Sequence, residues 1–403
     1  MKFHTLDDFD FKDKTVLVRV DINSPWDDEK KKIMDNERIR EHAKTVKELS
    51  DKNAKVVILA HQGRKGDPDF IHLDQHAVLL SEHVGKNVEF VDDVIGEKAV
   101  ERIKSLQSGD ILLLDNVRFL DEESLELSAD EHAKSQLVTI LASLFDYFVS
   151  DGFSVAHRSH ASVVGFSKVL PSIAGRSMEK ELLALEKAFD TNGENVFILG
   201  GAKVEECLGI MKYLLKNNPE AIEHVLTAGV LSELFLLSKR VELGKNTNEF
   251  LIKKDYLKFV PELKDLLEEY KKKIEVPVDV AIEVAGERKE LQVKKLPVEQ
   301  QIMDIGKKTV EKYSKIIKKA DVIVVKGPAG VYEKNNFDIG TKMLLENVAK
   351  SKAFSLIGGG DTTTAMEKIG IDKKEFSYVS LGGGALITYL SGKAMPGIDV
   401  LKI

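Results

Sequence analysis

The chain has 403 residues, more than a single hydrophobic core usually supports, so two domains are expected. With 43% hydrophobic and 31% charged residues, it has the balance of a soluble globular protein. The net charge of −7 argues against a general nucleic-acid binder, which is normally basic, though not against a local pocket for a small anion.

Residues 1–10 are polar and acidic, unlike a signal peptide, and apolar runs such as 56–60 and 111–114 are too short to cross a bilayer. The lone cysteine, Cys207, permits no intrachain disulfide and fits a reducing compartment. A cytoplasmic protein with no nucleic-acid or membrane partner is therefore expected. Monomer and homodimer both stay open.

Short β-branched runs alternate with helical-period segments along the whole chain. Strands are expected at 15–20, 55–60, 111–114 and 147–150, then at 196–199, 225–228, 322–325, 354–357 and 378–381. Their unbroken apolar character suits strands covered on both faces. Helices are expected at 37–49 (Ile39, Val46, Leu49) and 129–144 (Ala133, Leu137, Ile140, Leu144). A further helix is expected on Ile302, Ile305, Ile316 and Ile317, and 253–273 reads as a solvated, charged helical surface. The fold class that follows is α/β, with two doubly wound parallel-sheet domains. Pro171 and Gly175 mark a boundary, giving a first domain over 1–170, a linker helix over 171–190 and a second domain over 191–389.

In the first half, basic clusters follow the strands. They are Arg19 to Pro25 with Asp21 and Asn23, then His61-Gln62-Gly63-Arg64, then Asp115 to Phe119 with Arg118. The last runs from Asp151 through His157, Arg158 and His160. In one parallel sheet these loops share an edge. Several guanidiniums and imidazoles there make a site for a small, multiply charged anion, because arginine contacts phosphate and carboxylate oxygens bidentately. Taken singly, each arginine could equally be a surface ion pair, and His157 or His160 a structural hydrogen-bonder.

These clusters, in this order, resemble the substrate-site signatures of the phosphoglycerate kinase family. The resemblance implies that Asp21, Asn23, Arg38, His61, Arg64, Arg118 and Arg158 hold 3-phosphoglycerate, with Arg38 reaching the migrating phosphoryl group.

The second half is rich in glycine instead. Strand ends run into Gly200-Gly201-Ala202-Lys203, Lys326-Gly327-Pro328, Gly358-Gly359-Gly360-Asp361-Thr362 and Leu381-Gly382-Gly383-Gly384. Glycine turns that open helices bring backbone N–H groups to phosphates, and Asp361 is available for Mg²⁺. Neither G-x-x-x-x-G-K-[ST] nor G-x-G-x-x-G after a strand is present, which counts against a nicotinamide dehydrogenase.

These loops too resemble the family, whose second domain carries the nucleotide. By that resemblance Gly200, Gly201 and Gly229 border the adenine, Pro328 lines its pocket, and Glu333 bonds the ribose. Gly358, Gly359, Gly360 and Thr362 meet the phosphates, Asp361 meets Mg²⁺, and Lys203 stabilises the transferred group. Three positions depart from the family pattern. Cys207 stands where a second lysine is usual, Lys326 where many members have asparagine, and Leu381 where many have threonine.

The implied activity is reversible phosphoryl transfer between ATP and 3-phosphoglycerate, a step of glycolysis and gluconeogenesis. It would run by direct in-line transfer after hinge closure, with residues 390–403 packing back on the first domain. A non-catalytic binding protein that keeps the fold is the alternative, favoured only by Cys207 and Leu381.

Overall fold

The computed structural model describes residues 1–189 and 193–403; the end of the expected linker and the start of the expected second domain, 190–192, lie outside the described residues. The chain divides into two compact units, Met1–Leu183 with Ala394–Ile403, and Ala184–Lys393.

The first unit is built on β1 (Thr15–Arg19), a small hairpin of β2 (Trp26–Asp27) and β3 (Lys32–Ile33), β4 (Lys55–Leu59), β5 (Val88–Phe90), β6 (Ile111–Leu113), β7 (Tyr147–Ser150) and β8 (Ser172–Ala174). Six of these form one parallel sheet in the order β5-β6-β4-β1-β7-β8. Successive side chains point to opposite faces of a strand, and both faces here are buried. Val16, Val18 and Ile58 join Ile39, Val46 and Leu49 of helix Glu37–Asp51 in one core. Leu17, Val57 and Leu59 join Leu141, Phe148 and Phe166 in the other. The chain runs from β1 to β4 on one side and later returns to β7 on the other. Such a switch in strand order leaves a crevice beyond the carboxyl ends of the strands.

One expected helix is broken. Residues 129–144 form two short helices, Ala129–His132 and Gln136–Leu141, followed by a 3-10 turn at Ala142–Leu144. Ser135 stops the first and caps the second, its hydroxyl accepting the Val138 N–H at 3.4 Å. Serine favours caps over helix interiors because its side chain competes for backbone groups. The segment 171–175 holds the edge strand β8, and the helix that follows is Arg176–Ala188.

The carboxyl-terminal residues complete the first unit. Met395, Ile398 and Leu401 are buried, and the Gly397 N–H donates to the Ala156 carbonyl at 2.8 Å. A chain ending at Lys393 is expected to lose roughly 5 kcal/mol of stability, from three apolar side chains at about 1.5–3 kcal/mol each. Thermal melting checks this; an unchanged midpoint would contradict it.

The second unit contains β9 (Asn195–Leu199), β10 (Ile222–Thr227), β11 (Ile274–Glu275), β12 (Asp279–Val284), β13 (Glu287–Gln292), β14 (Ile302–Ile305), β15 (Val322–Lys326), β16 (Phe354–Gly358) and β17 (Tyr378–Val379). The main parallel sheet runs β11-β10-β9-β15-β16-β17, so its switch point lies between β9 and β15. Val196, Ile198, Ile323, Val325 and Ile357 pack under Val310, Tyr313 and Ile317 of helix Lys307–Ile317.

Here a second expectation is corrected. Ile302 and Ile305 belong to β14, in the antiparallel sheet β13-β12-β14, and the helix begins only at Lys307. The Asp279 carboxylate on β12 caps it, accepting the Lys308 and Thr309 N–H groups at 3.0 and 2.7 Å. Gly306 sits so close that a Cβ there would lie 2.3 Å from that carboxylate. In the charged segment 253–273, helix Val260–Glu269 buries Leu263 and Leu266. Among the described residues no helix is long and apolar enough to cross a membrane.

Candidate active site

Beyond β1, β4, β6 and β7 the first unit gathers its basic clusters. Asp21 is buried and accepts Arg38 Nη1 at 2.6 Å and the Ser154 hydroxyl. Burial alone would raise the Asp21 carboxyl, but Arg38, His61 and Ser154 together hold it well below the usual carboxylate range. Arg38 lies in the first turn of helix Glu37–Asp51, whose start Asn36 caps by accepting the Arg38 N–H at 2.9 Å. The Asn23 side chain accepts the Gly63 N–H at 2.9 Å, which ties the β1 loop to the β4 loop.

A cavity of about 340 Å³ is lined by Arg64, Arg118, Arg158, His160 and Ser124 among others. Arg118 also donates to the Gly63 carbonyl. Burial first, and then repulsion from Arg158 and Arg19, push Arg118 down to about 10. His61 is pushed well below its ordinary value, chiefly by burial, and its Nδ1 meets Arg19 Nη2 at 3.1 Å. His160 is likewise lowered, to about 4, by burial and Arg158, and pairs Nε2 with Glu126 at 3.2 Å.

In the second unit a cavity of about 500 Å³ is lined by Gly201, Gly229, Pro328, Glu333, Asp304 and Glu233, with apolar walls from Phe250, Ile302 and Val331. It opens at the switch point. Gly200, Gly201 and Gly229 donate to the carbonyls of Lys326, Pro328 and Ala329 at 2.8, 2.8 and 3.0 Å. Glycine is required because the backbones touch: a Cβ on Gly200 would lie 2.5 Å from the Pro328 oxygen, and Gly229 also has φ +54°.

A smaller cavity of about 80 Å³ is lined by Lys203, Lys326, Gly359, Gly360, Asp361, Thr362, Gly383 and Gly384. Helices Val204–Asn217, Gly360–Ile369 and Gly384–Leu390 all begin there. Their free N–H groups and dipoles favour an anion. Lys203 Nζ pairs with Asp361 Oδ2 at 3.0 Å, a bond that raises the lysine pKa. The Thr362 hydroxyl is engaged within the protein, donating to the Gly358 carbonyl at 2.8 Å and accepting the Gly327 N–H at 2.7 Å.

The chain that forms these two crevices is matched by known proteins over nearly its whole length. The family model for phosphoglycerate kinase matches residues 6–393. The phosphoglycerate kinase of Methanothermus fervidus is 44% identical over 402 residues, covering 100% of this chain and 97% of the relative. That of Methanobacterium bryantii is 44% identical over 403 residues, with the same coverage. The crystal structure of phosphoglycerate kinase from Pyrococcus horikoshii OT3 superposes with a TM-score of 0.87 at 39% identity, covering 99% of this chain and 98% of that one. The enzyme structure from Coxiella burnetii gives 0.84 at 29% identity, with 99% of each chain covered. The chain belongs to the phosphoglycerate kinase family.

The three positions that the resemblance singles out, Cys207, Lys326 and Leu381, have local surroundings of their own. Lys326 and Cys207 are neighbours: the ammonium lies 3.3 Å from the buried thiol, 3.0 Å from Glu206 Oε2 and 3.4 Å from the Lys203 carbonyl. A cation from β15 therefore enters the small cavity beside Cys207. Burial raises the Cys207 thiol, against the pull of Lys326, so it is a protonated packing group. Next to Leu381, the Ser380 hydroxyl accepts the Gly382 N–H at 3.0 Å, supplying a hydroxyl one residue earlier.

Sequence reasoning placed Arg19 and Asp151 in the strand-end clusters but missed their long-range partners. Arg19 is almost wholly buried and donates to the Ser162 hydroxyl at 2.7 Å, while the buried Glu123 accepts the same hydroxyl's proton at 2.7 Å. Asp151 is engaged by His42 at 2.7 Å and caps the Ser177 N–H at 2.8 Å, a structural role. Long-range pairs of this kind leave no periodic signal.

Proposed function

We propose that the family's reaction, reversible phosphoryl transfer between ATP and 3-phosphoglycerate giving ADP and 1,3-bisphosphoglycerate, proceeds in this chain by direct in-line transfer. The acid binds in the cationic crevice of the first unit and the nucleotide in the two cavities of the second. The observation that carries this reading is the single cavity onto which Arg64, Arg118 and Arg158 converge, where burial, Arg158 and Arg19 disfavour the charge of Arg118. A multiply charged anion relieves that repulsion, and bidentate guanidinium contacts fit phosphate and carboxylate alike.

On this reading Asp21, Asn23, Arg38, His61, Arg64, Arg118 and Arg158 hold 3-phosphoglycerate. Gly200, Gly201, Gly229 and Pro328 border the adenine, and Glu333 takes the ribose. The loop Gly358, Gly359, Gly360, Asp361, Thr362 meets the phosphates through its backbone, since the Thr362 hydroxyl is already committed. Magnesium arrives with the nucleotide. Among the described residues no cluster of three or more His, Cys, Asp or Glu could hold a metal, whereas the Asp361 carboxylate stands half-exposed at the small cavity. That suits an ion carried by phosphates and one carboxylate, which supplies charge neutralisation.

The substrate carboxylate is ionised at neutral pH, so it needs no general base. Its oxygen forms a bond to the γ-phosphorus as the bond to the bridging oxygen breaks and ADP leaves. Arg38 and Lys203 neutralise the charge spread over the transferring group. They belong to different units, so the reaction requires a closed state that brings both to one phosphoryl group and excludes water. Both substrates are soluble metabolites, which supports a cytoplasmic location.

Titration calorimetry tests the division of ligands. Arg118→Ala is expected to weaken 3-phosphoglycerate binding by about tenfold or more, the worth of one charged hydrogen bond, and leave ATP binding unchanged. Equal loss for both ligands, or none for the acid, would contradict the assignment.

A further inference from the structure

The large cavity of the second unit holds one group that neither the fold nor the proposed transfer employs. Glu233 sits in helix Gly229–Ser238 among Leu231, Leu234, Phe235 and Leu236. It lines the cavity and is only 6% exposed, and its Oε2 has no hydrogen-bond partner among the described residues. Asp304, a second buried carboxyl on the same cavity, is fully engaged. It accepts Arg288 Nη1 at 2.8 Å and the N–H groups of Gly340 and Ile305 at 2.8 and 2.9 Å. An unpaired buried polar group costs about 1–3 kcal/mol, so leucine would suit the fold better at this position. Burial pushes the Glu233 carboxyl well above its ordinary range. It is therefore a neutral acid, offering one O–H donor and one C=O acceptor side by side.

We infer that Glu233 reads the base of the bound nucleotide, its carboxyl pairing with the amino-bearing edge of adenine. The inference rests on the nucleotide reading of this cavity. Adenine presents its N6 amino donor beside a ring-nitrogen acceptor, N7 on one edge and N1 on the other. Either edge matches a neutral carboxyl. Against guanine the match discriminates on the N7 edge, where N7 and O6 are both acceptors and the acid has no second proton for them. Glu233 is a specificity residue that contacts the base, so it acts on nucleotide affinity and not on the chemical step. Lys203, Glu333 and Asp361, the other charged groups on the cavity wall, are assigned to phosphate, ribose and metal.

The test uses the full chain with Glu233→Leu and Glu233→Gln, assayed with ATP and with purine riboside triphosphate, which lacks the amino group. Leucine is expected to raise KM for ATP about tenfold, with kcat and KM for 3-phosphoglycerate held. Glutamine keeps one donor and one acceptor, so its KM for ATP stays within about threefold of the parent. Loss of the amino group is expected to raise KM about tenfold in the parent and in Glu233→Gln, and to add nothing in Glu233→Leu. Without nucleotide, Glu233→Leu melts no lower than the parent, since it loses an unpaired polar group. A Glu233→Leu variant with the parent's KM and the parent's discrimination overturns the inference. If that variant fails to fold, Glu233→Gln decides: loss of amino-group discrimination overturns the inference too. A parent that neither binds nor uses ATP overturns the nucleotide reading instead, and with it this inference.

Discussion

Arg38→Ala is expected to lower kcat by about 10²–10³-fold while leaving KM for ATP near its parent value, because the guanidinium acts on charge that develops in transfer. Arg38→Lys keeps the charge but loses the planar fork, so it falls between the two. Stability responds as well. Arg38 is the ion-pair partner of the buried Asp21 carboxylate at 2.6 Å. Removing one member of a fully buried pair costs about 3–5 kcal/mol; the figure here is smaller, because the Arg38 side chain is 34% exposed and Ser154 and His61 also face Asp21.

The sign with pH follows from the lowered Asp21 pKa. A carboxyl held below its unfolded value adds stability above the ordinary carboxylate range and loses it as pH falls. In Arg38→Ala, burial is less opposed and Asp21 protonates more readily. The melting difference from the parent is therefore expected to be large near about pH 7 and to shrink towards about pH 4. A gap that widens on acidification would contradict the pairing. A near-normal kcat would contradict the role in transfer.

Lys203→Ala is expected to cost a similar 10²–10³-fold in kcat, but with almost no loss of stability. Its partner Asp361 is 3.0 Å away, and both side chains are about half exposed. Exposed pairs of this kind contribute about 0–1 kcal/mol, so the variant should melt with the parent. The contrast separates the two lysines of the small cavity. Lys326 is nearly buried against Cys207 and Glu206, so its loss would disturb packing as well as phosphate contacts. A Lys203→Ala enzyme with parental kcat would place the transferring group elsewhere.

The parts of this arrangement that were legible in the sequence are those with strong local signals. Strands such as β1, β4 and β15 are β-branched runs buried on both faces, and their ends carry Asp21, His61 and Lys326 within a few residues. The glycine turns were visible because backbone contact between Gly200, Gly229 and Pro328 tolerates no side chain. The errors arose where local pattern and tertiary context disagreed. Ile302 and Ile305 have the i, i+3 spacing of a helix, yet Asp279 caps the helix only after Gly306. The pairing of β12 with β13 and β14 was not anticipated at all, because the half-buried strand Glu287–Gln292 is almost wholly polar or charged. Glu233 did leave a trace, as the one charged residue in a mostly apolar helix, but only its burial against a cavity gives that trace meaning.

The central claim is that the cationic crevice and the glycine-lined cavities serve one phosphoryl transfer. The most direct measurement is a coupled assay with ATP, Mg²⁺ and 3-phosphoglycerate, in which a downstream reductase traps the acyl phosphate and NADH loss is followed. Turnover that requires all three components is the predicted result. Folded protein that binds ATP and 3-phosphoglycerate yet forms no acyl phosphate would contradict it.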